Sequence, residues 1–167
     1  MDSWGYARAL HVLGVVLWIG GVSMVTTVLI PVVRRLEERD PMALFDRLER
    51  RFARQARWTT VLVGATGFYL VYALDLWHRY LEVRYWWMTA MLLVWGLFTI
   101  MLFVFEPLFL HRWFSARARV DADRTLRAIE RMHWFLLALS LVTIAGAVAG
   151  SHGVLLFAGI GARCTYG

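Results

Sequence analysis

The side chains in this chain best suited to metal chemistry are its five histidines, His11, His78, His111, His133 and His152. A neutral imidazole nitrogen suits iron and copper, and paired imidazoles from facing helices grip a b-type haem. Cysteine offers little, because Cys164 stands alone. That excludes an intrachain disulfide, a CxxC metal pair and a CxxCH site for covalent haem attachment.

His11 lies in the stretch Ala9 to Gly21, ALHVLGVVLWIGG. On a helix, His11, Gly14, Trp18, Gly21 and Val25 share an arc of about 80°. One stripe then carries a ligand, two positions without side chains and a flat aromatic. A second stripe, Gly64, Gly67, Val71, Leu74 and His78, repeats the pattern. Glycines let a planar macrocycle or another helix approach the backbone; the plainer alternative is ordinary small-residue helix contact. The preferred ligand pair at this end is His11 with His152, provided the last helix runs on towards Ile160, with His78 as substitute. At the other end, His111 closes the third apolar block and His133 opens the fourth, which would bring them to similar depth. Arg8, one turn before His11, and Arg112 or Arg131 offer cations for haem propionates. Met88 and Met91 offer soft ligands for Cu(I) as an alternative. Glu106 and Pro107 put a carboxylate and a missing backbone N–H inside an apolar run, which predicts a kink and a proton-handling or arginine-paired glutamate. No protein nucleophile or acid/base dyad is evident, so an enzymatic label stays open.

The elements that position these residues are long and apolar. With 60% hydrophobic and only 18% charged residues among 167, the composition is that of a membrane protein. Four blocks, residues 6–33, 58–77, 86–110 and 134–157, each reach the ~20 residues that cross a bilayer. They predict an all-α, up-down four-helix bundle as a single domain over residues 1–167. Leu44, Leu48 and Phe52 recur every four residues, and Leu126 and Ile129 continue towards the fourth block, so the second and fourth helices should extend past the membrane.

Arginine sets the orientation. The segment Arg34 to Arg57 holds eight arginines and Arg112 to Met132 holds six, while lysine is absent. Arginine-rich short loops stay in the cytoplasm, which places both termini on the opposite, periplasmic side of a bacterial inner membrane. The net charge of +6 then serves topology and contact with anionic lipid rather than nucleic acid, because acidic residues interleave with the arginines.

The early histidine followed by LWIGG resembles the CopD-like superfamily of small bacterial membrane proteins, and the four-helix layout is similar to that of the HemJ-like protoporphyrinogen oxidases. The resemblance implies a haem or copper role near His11. HemJ-like proteins use a lysine in a later helix, and this chain has none. The leading expectation is a membrane cytochrome with one or two b haems, passing electrons between a quinone or small oxidant and a partner protein. A copper-handling protein, a protoporphyrinogen oxidase-like protein and a cofactor-free membrane subunit are the alternatives, and the small-residue stripes permit a homo-oligomer.

Overall fold

The computed structural model describes residues 3–35, 41–110 and 122–154, without the side chains of 41–47, 49, 106–110 and 122–123. His111, Arg112 and Cys164 therefore lie outside the described residues. All regular structure among those residues is helical. Helix α1, Ser3–Met24, continues through a π-helical segment, Val25–Leu29, into α2, Ile30–Arg35. Helix α3 is Pro41–Ala73. Two 3-10 turns, Trp77–Leu81 and Val83–Tyr85, lead into α4, Trp86–Ile100, which passes into a second π segment, Met101–Leu110. Helix α5 is Ala122–Ser151. The extensions expected before the second and fourth apolar blocks are present, since α3 begins at Pro41 and α5 at Ala122.

Both π segments have a cause in the sequence. Proline has no N–H, and its ring collides with the carbonyl four residues back in an α-turn. A wider turn moves that carbonyl away. Pro31 follows the first segment, in which the Ile30 N–H bonds Val25 O, five residues back. The hydroxyls of Thr26 and Thr27 donate to Val22 O and Ser23 O at 2.7 and 2.8 Å. Pro107 lies within the second segment. The carbonyl five residues before it, Leu102 O, accepts from Arg57 Nε on α3 at 3.3 Å. A cation on one helix thus caps an acceptor that proline leaves open on another.

Neighbouring rods run antiparallel. Ser3 meets Tyr69 at 3.0 Å, and further along α1 Gly21 meets Phe52 of α3. Trp95 Nε1 of α4 donates to Thr60 O of α3 at 2.9 Å, and Trp86 packs on Gly146 of α5. Arg34 of α2 pairs with Glu130 of α5 at 2.6 Å. The central core draws Trp18, Ala56, Phe98 and Leu136 from four different helices, and Trp18 meets Phe98 edge to face at 4.8 Å. A smaller core of Val25, Ile30, Val33, Leu126 and Ile129 closes the arginine-rich end. Outward side chains such as Leu13, Val16, Leu93 and Val142 are apolar and exposed, which suits contact with lipid.

Three stretches among the described residues, Ser3–Arg35, Val83–Phe105 and Arg124–Ser151, are long and apolar enough to cross a membrane. The block 58–77 is not among them. Its helix stops at Ala73, and Thr59, Thr60, Gly64, Thr66, Gly67, Tyr69 and Tyr72 dilute its hydropathy. Asp75, at φ 49°, turns the chain out of the helix. His78 consequently leaves the stripe on which the sequence placed it and sits in a 3-10 turn. The last helix is also shorter than expected, ending at Ser151 before a turn at Gly153, φ 88°.

Candidate functional site

Each described histidine turns Nδ1 to a backbone carbonyl: His11 to Val63 O at 3.1 Å, His78 to Asp75 O at 3.1 Å, His133 to Ile129 O at 2.9 Å and His152 to Val148 O at 2.8 Å. A carbonyl only accepts, so Nδ1 carries the proton and Nε2 of the neutral ring keeps its lone pair. This is the arrangement by which outer partners orient a metal-ligating imidazole. The donor chemistry is therefore common to all four, and their surroundings separate them.

At the end bearing the N-terminus the surroundings do not suit a macrocycle. The His11 ring wedges between α1 and α3, where its Nδ1 also meets Thr66 Oγ1 at 3.1 Å. A Cβ on Gly67 would stand 3.1 Å from His11 Cε1. The other glycines of the two stripes are seats already taken. Val63 fills the space over Gly14, Phe52 that over Gly21 and Trp95 that over Gly64. His152 and His78 are exposed, in turns beyond α5 and α3. The sequence expected His152 on a helix running towards Ile160 and His78 on the stripe of the second helix; both instead lie past the ends of α5 and α3. Arg8 stacks on Trp4, its guanidinium carbon 5.3 Å from the ring centre. Met88 is packed with Val71 and Trp87, while Met91 is exposed.

His133 is different. It is 8% exposed, and it lines a pocket of about 50 Å³ with Trp18, Phe52, Phe98, Met101 and Met132, to which all four rods contribute. The walls are apolar apart from the imidazole and the Trp18 indole, whose buried Nε1–H has no partner among the described residues. Both π segments lie at this half of the molecule, and Leu102, capped by Arg57, is part of the pocket wall. Wide helical turns of this kind are frequent at functional sites.

The donor set here suits a haem iron. His133 supplies an anchored imidazole, Met101 and Met132 supply thioethers, and most of the remaining lining is apolar. Room is the missing element, since about 50 Å³ holds only about three or four waters. The space for a macrocycle would have to come from half-buried side chain ends, first Phe52 on its seat over Gly21. No group of three or more His, Cys, Asp or Glu that would hold a bare metal ion occurs among the described residues.

Sequence reasoning placed Trp18 on a ligand stripe but missed the pocket it walls. It also missed Arg57. The available signal was Pro107, whose missing N–H demands an outside donor for a carbonyl one turn earlier. No protein-family model, curated protein or solved structure matches the chain.

Proposed function

We propose that the chain is a membrane-embedded up-down four-helix bundle that binds one b-type haem in its arginine-rich half and carries electrons, with His133 as the imidazole that would hold the iron. The observation that supports this best is a buried imidazole, pinned through Nδ1, on an apolar pocket shared by four rods. Intramembrane ionisable residues face interiors and mark function more often than packing. His111, next in sequence after Leu110, is the preferred second ligand. When bound, the group supplies the one-electron chemistry. The chain's own part is to hold the His133 tautomer through Ile129 O, to keep water out with Phe98 and Leu136, and to offer a cation, Arg57, beside the pocket. A bacterial inner membrane with periplasmic termini, a quinone and a partner electron carrier complete the reading, whereas the resemblance around His11 implies a role at the other end of the molecule.

The test is the visible spectrum and iron content of protein purified from haem-sufficient cells. One equivalent of haem with a Soret band is expected, falling at least tenfold in His133→Ala and unchanged in His152→Ala. A colourless, iron-free protein sinks the proposal.

The pocket's volume favours a second reading, a cofactor-free subunit whose His133 and Trp18 hydrogen-bond small polar species. The same colourless preparation supports it. A copper role has less behind it, because Met88 is used in packing.

A further inference from the structure

The connector between α3 and α4 carries a cluster that the haem reading does not use. Arg79 and Arg84 both lie against one ring: their guanidinium carbons stand 4.8 and 4.9 Å from the centre of Tyr85. Two like charges on one platform repel unless an anion joins them. Glu82 pairs with Arg84. Among the described residues no carboxylate pairs with Arg79, and none gives its buried Nε a hydrogen-bond partner. The cluster is therefore one anion short.

The surroundings identify the kind of anion. Trp77 and Tyr80 lie 6.3 Å apart, and Tyr85 meets Trp87 edge to face at 5.5 Å. Amphipathic rings of this kind collect at the headgroup level of a bilayer. Leu81 and Val83, on either side of Glu82, are 89% and 59% exposed. Apolar side chains projecting beside two guanidiniums suit an anion that carries its own hydrocarbon. A soluble phosphate would leave them in water. Guanidinium matches phosphate oxygens through paired N–H donors.

We propose that Arg79 and Arg84, held on Tyr85, bind the phosphate of an anionic lipid headgroup at the end of the molecule opposite the arginine-rich loops. The inference rests on the membrane setting and is independent of haem. Two sources of phosphate, a lipid and the free ion, are separated by titrating the full-length protein in detergent with phosphatidylglycerol or with inorganic phosphate. Native mass spectrometry counts retained lipid. Wild type should keep one more tightly held phosphatidylglycerol than Arg79→Gln/Arg84→Gln, that equivalent weakening about tenfold on loss of the charge-assisted bonds. Tyr85→Leu, which removes the platform and leaves both charges, should weaken the same equivalent. Glu82→Gln should strengthen it by releasing Arg84. Millimolar inorganic phosphate should not displace it. Equal lipid retention in wild type and the double-arginine variant overturns the proposal, as does displacement by free phosphate at that concentration. Because helix content is read on each variant by circular dichroism, misfolding is distinguished from loss of the site.

Discussion

At the scale of single residues, the best-defined interaction is the one between Arg57 and the carbonyl that Pro107 leaves open. In a π-turn the N–H at position 107 would bond the carbonyl of residue 102, and proline has no N–H to give. Arg57 Nε supplies a donor from another helix. Arg57→Gln should therefore leave Leu102 O unsatisfied in an apolar wall and cost about 1–3 kcal/mol. Pro107→Ala restores an N–H within the same helix. In that background Arg57→Gln should cost about 1 kcal/mol less, a coupling that thermal or denaturant unfolding of the four proteins of a double-mutant cycle would measure. Additive effects would show that the two residues act independently. The sequence announced half of this arrangement, since a proline inside FVFEPLFLH demands a compensating donor. It did not name the donor, because the partner lies on a different rod and only the packed structure selects it. The histidines behaved alike: their residue type was legible, whereas burial, which separates His133 from His152, depended on where helices end and on what fills the pocket.

Glycines set the contacts between helices. The apolar blocks made the rods legible, and the four-residue recurrence of Leu44, Leu48 and Phe52 located the extension of α3. Two things escaped that reading. Helix α3 stops at Ala73, because Asp75 adopts a left-handed conformation that nothing in an apolar run foretells. The glycine stripes were real close-approach positions, but their occupants are rings from the chain itself. Spacing shows where a Cβ is missing without showing what takes its place. The contrast between two glycines tests this. A Cβ at Gly64 would stand 2.6 Å from Trp95 Cζ2, within the indole that donates to Thr60 O, whereas at Gly20 nothing lies within 4 Å. Gly64→Ala should destabilise by about 1–3 kcal/mol through overpacking. Gly20→Ala should instead stabilise by about 0.5–1 kcal/mol, the usual gain from replacing glycine in a helix. Thermal unfolding in one detergent compares them, and a neutral Gly64→Ala would mean that the Trp95 seat is slack. Phe52 gives the functional counterpart. If its ring is the movable stopper over Gly21, Phe52→Trp should lower haem occupancy severalfold and Phe52→Ala should not, as read from the Soret absorbance per protein.

For the whole molecule, the question that matters is whether α3 crosses the membrane with its neighbours, because three crossings put the termini on opposite faces and four put them on the same face. Hydropathy alone leaves α3 out, and packing argues for including it. Its contacts with α1 run from Ser3 against Tyr69 to Gly21 against Phe52. That is 18 residues along α1, or about 27 Å at 1.5 Å per residue, close to the ~30 Å of hydrocarbon. A helix that lines a crossing helix over this length would share its slab. The outward face of α3 agrees: Trp58, Val61, Phe68 and Tyr72 are exposed and apolar or aromatic, while its threonine hydroxyls at 59 and 66 are turned onto helix carbonyls. Such hydroxyls lower the hydropathy of a helix without presenting an unpaired group to lipid. With four crossings the arginine-rich segments of the sequence would set the direction, opposite the connector that holds Arg79 and Arg84. Reporter fusions that are active on only one side of the membrane, placed at the N-terminus, within residues 77–85 and within residues 112–121, should give the same side for the first two and the opposite side for the third. A connector reporting on the arginine side would mean that α3 lies on the membrane surface, and would remove both the four-crossing bundle and the headgroup site at Tyr85.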